Sequence, residues 1–569
     1  MSLSIDDLLG ASAVEAAPPP AHVPAGGAGS GVSAPGAIAG GAYEGADRFD
    51  RSMALWSPPI LSADNEILPA KAMVQARVGD TIRNDAYVAN AANLHRDHIV
   101  GSLFLLNSKP ATRILWGKED EVWETEFQEE IEEKFTLWAE STECWADATR
   151  RNTFSELVRL AVGVNFMGGE CLTSVEWLRE EVDRPFNTAF LMLDLERVDT
   201  PPEHSHDINV RAGVRRNQRG RPMGYYVRQG HPTDWRDPAA HQWKYVPAAK
   251  PWGRKQMIHV YEQVRPDQSR GMAQIACILR EAHQAKTMRA VALQNMIINS
   301  SFAAAIESDL PSDAVFQMLG GGSVGDPDAV AGAIENYMTG YLDTVAKYVG
   351  KSNYAKLNDV KIPHLPPGSK LNLTPVGKGG LLGTDFEAAI LRYMAAGSGV
   401  PVELFSKDYS KTNYSSIKAG LADLGLYMGA KKKIIADRWA TEGFRLWFEE
   451  AANRNQIEAL KRARVPNFYD PLVAEAYTAC EWIGASRGQV EELKETQAAV
   501  ARINAGISTR EIEIARFGRD YRKMFRQIAR EKKLAEQLGI SFMSDEGMMG
   551  AVEAAANGDQ EAKEPRRDQ

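Results

Sequence analysis

Apolar and polar positions along the chain alternate between two periods. Over 87–99, 119–139 and 153–166, apolar residues recur at three- and four-residue steps, which predicts helices. The third of these stops at Gly168-Gly169, a pair suited to ending a helix. Apolar runs at 170–177, 188–198, 223–228 and 256–261 predict strands, with a turn signal at 217–222 around Gly220. Residues 100–106 read as a turn leading into a further apolar strand.

The longest pattern starts near Met272. Ile275, Ile278, Ala282, Ala285, Met288, Ala292 and Met296 form one stripe free of proline. It predicts a helix of about 30 residues, about 45 Å long at the α-helical rise. Its small residues suit close packing against neighbouring copies of the chain, or the core of a single subunit. Residues 303–375 read as an insertion, with Gly320-Gly321-Gly322, a helix over 328–349 and Pro-rich strands at 360–365 and 371–373. A helix over 384–396 is broken by Gly397-Ser398-Gly399-Val400-Pro401. A polar, aromatic loop follows over 403–415. A long helix over 415–452 carries Lys431-Lys432-Lys433 and the aromatics Phe444, Trp447 and Phe448. Short helices are expected at 489–504, 509–517 and 520–538, with Ser508 and Glu511 as a capping box for the second.

Composition narrows the class. The chain has 569 residues, 44% hydrophobic and 25% charged, enough for a sizeable core. Net charge is -9, which argues against a protein whose main task is to grip nucleic acid. The four cysteines (Cys144, Cys171, Cys277, Cys480) form no CxxC or Cys/His cluster, so they read as reduced thiols rather than a disulfide or zinc framework. No secretory signal or membrane-spanning run is expected. Residues 10–42 are mostly Ala, Gly and Pro, with Pro18-Pro19-Pro20 among them. They read, within 1–42, as a disordered arm. Residues 543–569 read as a disordered tail.

Chemical motifs are weak. Gly320, Gly322 and Gly325 spell GxGxxG, and Ser323 sits in a GxSxG, but the strand, acid and histidine partners of either motif are missing. The sequence has no GxxxxGKS/T phosphate loop and no HExxH. His95 with His98 and His204 with His206 are poor metal sets, and no carboxylate pair stands out for acid–base catalysis. The expectation is therefore no catalytic residue, no metal and no cofactor. Lys431–Lys433 reads as a solvated helix face. Lys407, Tyr409, Lys411 and Tyr414 interleave basic and aromatic groups, which suits non-specific contact with a phosphate backbone.

Several stretches then form an ordered signature. They are Ala76-Arg77-Val78-Gly79-Asp80-Thr81-Ile82-Arg83-Asn84 with His98-Ile99-Val100-Gly101, and Gln268-Ser269-Arg270-Gly271-Met272. Next come Gly399-Val400-Pro401, Asp408-Tyr409-Ser410 and Asn413-Tyr414-Ser415-Ser416. Trp482-Ile483-Gly484, Lys494-Glu495, Gly506-Ile507-Ser508-Thr509 and the run from Gln527 to Glu531 complete the order. Over about 43–540 the chain resembles the lambda-type (lambdoid) bacteriophage portal proteins.

The resemblance implies an α+β portal-protein fold with wing, stem, clip and crown regions, assembled as a ring around a channel. By sequence order the wing is 43–272 and 416–484, the first stem helix 273–302 and the clip 303–375. The second stem helix is 376–398, the tunnel loop 399–415 and the helical crown 485–542. It implies a homo-oligomer, usually of twelve subunits, at one capsid vertex of the virion, assembled in the host cytoplasm. Double-stranded DNA enters through it by the terminase and leaves through the tail. Expected partners are the terminase large subunit, major capsid and scaffold proteins, and head-completion or tail adaptor proteins, with no membrane. Lys407, Tyr409, Lys411 and Tyr414 become channel candidates, and the stripe from Ile275 to Met296 a candidate for ring packing. An acidic ring that avoids tight DNA contacts would let the duplex slide. The rivals are a serine hydrolase using Ser323 and a sequence-specific nucleic-acid-binding regulator.

Overall fold

The computed structural model describes residues 55–302, 339, 354–357, 360–363, 384–410, 412–461, 465–486 and 492–540. The chain divides into a first unit, Met1–Leu61, of which residues 55–61 are described and form no helix or strand, and a second, Ser62–Gln569. The second unit mixes helix and sheet. It begins with α1 (Ala63–Asn84), α2 (Ala86–Ile99), β1 (Leu105–Ser108), α3 (Thr112–Trp116), α4 (Glu121–Ala139) and α5 (Phe154–Gly168). Strands follow: β2 (Glu170–Trp177), β3 (Thr188–Leu193), β4 (Val210–Arg211), β5 (Val214–Arg216), β6 (Pro222–Arg228), β7 (Trp243–Pro247) and β8 (Met257–Tyr261). Then come a 3-10 turn (Gln274–Ile278), α6 (Leu279–Phe302), the hairpin β9 (Tyr354–Leu357) and β10 (Val360–Pro363), α7 (Thr384–Ser398) and α8 (Val402–Ser406). A continuous helical run comprises α9 (Tyr414–Lys431), a π-helical stretch (Lys432–Asp437) and α10 (Arg438–Asn453). The chain closes with α11 (Val473–Tyr477), β11 (Cys480–Ile483), α12 (Glu492–Asn504), α13 (Arg510–Ala515) and α14 (Tyr521–Leu538).

All paired strands of the described sheets are antiparallel. β2 is the centre of a three-stranded sheet in the order β3-β2-β8, and β4 to β7 form a meander. β1 pairs with β11, from Leu105 opposite Ile483 to Ser108 opposite Cys480, so early and late parts of the chain close on one another. Above this sits an aromatic core. Phe135 touches Phe154 (5.1 Å between ring centroids) and Trp447 (5.3 Å), Phe154 touches Trp439 (5.4 Å), and Phe104 stacks on Trp482 (5.3 Å). Two of the buried indoles have a polar partner: Trp123 Nε1 donates to the Ala459 carbonyl and Trp439 Nε1 to Thr173 Oγ1.

The helices expected at 87–99, 119–139 and 153–166 form as α2, α4 and α5, and Gly169 ends α5 in the left-handed region at φ +78°. Three expectations shift, and one helix is an addition to them. A whole helix, α1, runs through Pro69, which gives up one backbone hydrogen bond without ending the helix. The strand expected over 188–198 stops at Leu193, and a 3-10 turn replaces its second half. The long helix begins at Leu279, so Ile275 and Ile278 belong to the 3-10 lead-in. The cap of α13 is Thr509, whose hydroxyl accepts from the Ile512 N–H, rather than Ser508. The expected helix at 328–349, apart from residue 339, the strand at 371–373 and the Gly320–Gly325 cluster lie outside the described residues.

The C-terminal helices join the body through charged contacts. Lys109 pairs with Glu481 (2.7 Å) and Glu511 (3.2 Å), and Asn107 donates to Glu511. Beneath them Glu132 of α4 is buried and accepts from the Ser108 N–H at 2.9 Å. Burial pushes its carboxyl up to about 7; the Ser108 hydrogen bond opposes this and the Asp520 charge adds to it. The folded state thus holds a proton there that the unfolded chain releases near pH 4.5. Its stability falls as pH rises from that range to about 7 and levels off above. Glu132→Gln should remove this term: thermal unfolding followed from pH 5 to 8 should show a flatter profile, with a gain of about 1–3 kcal/mol at pH 8 and little change at pH 5.

Candidate functional site

The segment preceding α6 is held by a buried ionic junction. Glu170, the first residue of β2, has no exposed surface. Its carboxylate accepts from Arg270 Nε (2.8 Å), the Gly271 N–H (2.8 Å) and His259 Nε2 (3.0 Å), and Lys71 Nζ lies 3.0 Å away. Burial alone would raise this carboxyl, but the Arg270 and Lys71 cations and the His259 hydrogen bond hold it well below the usual range. The same burial lowers Lys71 and His259, so His259 is the neutral donor at Nε2 while Tyr225 Oη lies 3.4 Å from its Nδ1.

Each cation has more than one partner. Arg270 also donates to the carbonyls of Val198 (2.7 Å), Ala212 (2.7 Å) and Leu195 (3.1 Å), and Lys71 to that of Gly271 (2.6 Å). Alongside, Asp64 accepts from the Ser269 N–H (2.8 Å) and hydroxyl (2.7 Å) and pairs with Arg216. Two glycines let the end of α5 and the segment before α6 cross: a Cβ on Gly271 would lie 2.1 Å from the Gly169 carbonyl oxygen. Gln268-Ser269-Arg270-Gly271 is therefore an anchor that aims α6.

α6 and α7 lie side by side where they leave this anchor. Gly397 packs so closely on the 3-10 turn that a Cβ there would lie 2.3 Å from Ile278 Cγ2. Gln274 donates to the Gly397 carbonyl and accepts from the Tyr427 hydroxyl at 2.5 Å. Gly399, at φ +71°, faces the Tyr427 ring. Arg289 pins α6 to α2: it bonds Asp85 (3.0 Å), the residue that caps α2, and lies over the Tyr87 ring.

The apolar stripe on this stretch splits. Ile275, Ile278, Ala282 and Ala285 are buried in the core of this same chain, and Met288 is half-buried. Ala292 is exposed, as are Val291, Leu293 and Ile297 around it. Met296 lies on α6, and its side chain is outside the described residues. The helix is a core element at its root and presents apolar side chains to its surroundings further on.

The loop after α8 is anchored at its base. Phe405 is buried and stacks on Tyr87 (5.9 Å), and Asn90 Nδ2 donates to the carbonyls of Leu404 (2.7 Å) and Phe405 (3.0 Å). Lys407 follows at φ +59°, exposed and without an ion pair among the described residues. Tyr409 and Tyr414 are exposed, and Lys418 sits over the Tyr414 ring. Asn413 caps α9 by accepting from the Ser416 N–H (2.8 Å). Lys411 lies outside the described residues.

The chain matches the phage portal protein family of lambda type over residues 49–428. It is 33% identical to the portal protein of Escherichia phage N15 over 501 residues, covering 88% of this chain and 91% of that one. Portal protein B of Escherichia phage lambda gives 33% over 500 residues, with the same coverage. This chain belongs to the lambda family of phage portal proteins. A probable portal protein of Halomonas phage phiHAP-1 is 22% identical over 487 residues, covering 84% of this chain and 83% of that one. Among solved structures, the neck of an empty GTA particle computed with C6 symmetry covers 78% of this chain and 93% of its own, at TM-score 0.35 and 12% identity, too distant to support any argument.

In this portal-family chain one histidine of each pair raised from sequence packs against an aromatic ring, while His98 is half-buried and His206 exposed. His95 is buried, packs at a tilt against Phe166 (4.6 Å between ring centroids) and bonds the Ala91 carbonyl through Nδ1; burial lowers it to about 4. His204 lies against Tyr226. Among the described residues the metal-capable group is instead Asp194, Glu196 and His231, which sequence spacing could not reveal because the histidine comes from a distant turn. Ser323 lies outside the described residues. Lys432 bonds Asp437 (2.7 Å) and the Trp482 carbonyl (2.8 Å), so the triple-lysine run is only partly a solvated face; Lys433 remains exposed.

Replacing Glu170 by Gln should leave Arg270 and Lys71 buried without a counter-charge and cost about 3–5 kcal/mol in chemical denaturation. Because the folded carboxyl sits below its unfolded value, wild-type stability from this group is complete above the usual carboxylate range and lost as pH falls through the folded value. The variant should lack that acid-side loss.

Proposed function

We propose that copies of this chain form a closed ring, of twelve by family precedent, at one vertex of a phage capsid. The ring conducts double-stranded DNA inward during packaging by the terminase and outward into the tail. The supporting observation is the family match over 49–428, together with 33% identity to two portal proteins across 88% of the chain. The role is structural rather than catalytic. The capsid and scaffold proteins, head-completion and tail adaptor proteins and the terminase large subunit are its partners; the virion is its destination, after assembly in the host cytoplasm.

In this reading α6 and α7 are the paired stem helices, 303–375 the clip, 43–272 and 416–484 the wing, and 485–542 the crown. The anchor at Glu170 sets the stem's direction from the wing. The buried half of the apolar stripe, Ile275 to Ala285, fastens the stem to its own subunit, and the outer half, with Val291, Leu293 and Ile297, meets the next copy. A cyclic ring needs such a contact between two different faces. Lys407, Tyr409, Lys411 and Tyr414 stand at the channel, where a few cations on an otherwise acidic ring touch the passing phosphates without holding them.

Negative-stain electron microscopy of the purified chain should show rings with a central hole wide enough for a duplex, roughly 20 Å or more; compact monomers under every assembly condition would reject the proposal. Lys407→Ala with Lys411→Ala should leave rings intact and reduce packaged or retained DNA, measured as nuclease-protected DNA per particle; unchanged packaging would remove these residues from the channel.

A further inference from the structure

The turn between β5 and β6 concentrates positive charge on a chain whose net charge is -9. Arginine fills four of the seven positions 215–221, as Arg215, Arg216, Arg219 and Arg221. One of them, Arg216, is used inside the fold: it pairs with Asp64 (3.2 Å) and donates to the Asp267 carbonyl (3.1 Å), which ties the hairpin to the buried anchor. Arg215, Arg219 and Arg221 are exposed and have no ion pair among the described residues.

The tip is held in one shape by its own hydrogen bonds. Asn217 Oδ1 accepts from the N–H groups of Arg219 (3.0 Å) and Arg221 (2.9 Å). The Asn217 N–H donates to the Arg221 carbonyl and the Asn217 carbonyl accepts from the Gly220 N–H, both at 3.0 Å. Gly220 takes the turn at φ +79°. The Arg215 guanidinium lies over the Tyr245 ring of β7, 6.0 Å from its centroid. With the backbone already fixed, bringing these cations to a row of anions costs side-chain entropy alone. The carboxylate beside the tip belongs to Asp267, which a Cβ on Gly220 would approach to 3.7 Å. It is one anion against three cations.

The chemistry such a tip recognises is narrow. Every exposed side chain from 215 to 221 is polar. The tip therefore lacks the apolar centre around which contacts between proteins are built. Guanidinium groups are planar forks whose donors match phosphate oxygens. Phosphates bound in this way position a nucleic acid without reading its bases.

We infer that the β5–β6 tip is a contact for the phosphate backbone of duplex DNA, made by Arg215, Arg219 and Arg221 and independent of sequence. The phosphate chemistry follows from the tip; that the phosphates are those of duplex DNA rests on the conduit reading above. The contact is additional to the loop of Lys407 and lies on a different part of the fold. Three cations on an acidic chain hold DNA weakly, and salt releases it.

The test uses the purified full chain and a fluorescein-labelled duplex of about 30 base pairs, with binding followed by fluorescence anisotropy between about 50 and 200 mM NaCl. Arg215→Ala with Arg219→Ala and Arg221→Ala should weaken binding at the low-salt end at least about tenfold, and lower the slope of log affinity against log salt by about 2–3, with circular dichroism unchanged. Changing the same three positions to Lys should keep the wild-type slope, because the charge is retained. A second duplex of unrelated sequence should lose as much affinity as the first. No binding by the wild-type chain, an unchanged affinity and slope in the Ala variant, or a loss confined to one sequence would overturn the inference. So would an Ala variant that binds DNA normally but no longer forms rings, since the tip would then be a contact between protein surfaces. Normal rings with an unaltered salt slope would remove this site and leave the portal reading standing. A lowered slope in a chain that never forms rings would keep the phosphate site and remove the conduit.

Discussion

The Glu170 carboxylate is the point on which the geometry of this portal-family chain turns. It lies wholly out of water at the start of β2, and its partners come from α1, from β8 and from the segment that launches α6. A charge in that position is tolerable only when every lone pair is used and cations stand close by. That requirement locks four stretches of chain to one another: Lys71 cannot move without exposing Glu170, and Arg270 cannot move without abandoning three carbonyls as well. A hydrophobic cluster could supply comparable stability but not comparable direction, because apolar contacts tolerate small slides and hydrogen bonds do not. A helix that must leave the body at a set angle benefits from the second kind of anchor.

Close approach does the rest of the aiming. Gly169 and Gly271 let two backbone segments cross, and Gly397 lets α7 come down on the 3-10 turn before α6. The aromatic core, from Phe104 to Trp482, holds the platform behind them, and the pairing of β1 with β11 closes it by joining the two ends of the folded region. The body is tightly packed around this platform, whereas the outer part of α6 and the C-terminal helices leave apolar side chains uncovered. That contrast separates what the subunit stabilises by itself from what it presents to others.

The signature segments acquire physical meanings that sequence alone did not supply. Gln268-Ser269-Arg270-Gly271 is legible as a motif by resemblance; that Arg270 reaches Glu170, and that Ser269 is held by Asp64, depends on residues a hundred or more positions away. Gly399-Val400-Pro401 reads as a helix break, but the reason for Gly399 is the Tyr427 ring against its α-carbon. α1 was missed because Pro69 interrupts a weakly periodic stretch and mimics a helix end. The cap on α13 falls one residue later than the spacing suggests because two adjacent residues, Ser508 and Thr509, are both suitable caps, and Thr509 takes the Ile512 N–H.

Local periodicity, composition and the ordered motifs determined the mixed helix-and-strand class, the positions of α2, α4, α5 and β2, the acidic balance and the family. These follow from interactions between near neighbours in the chain or from the identities of the residues themselves. Only the tertiary structure decided which half of the stripe from Ile275 to Met296 is core and which half is open, since a helical stripe records that a face is apolar without recording what lies against it. It likewise decided that Glu170, Lys71, His259 and Arg270 meet. Those outcomes depend on contacts between distant segments, whose energies appear only once the chain has closed on itself.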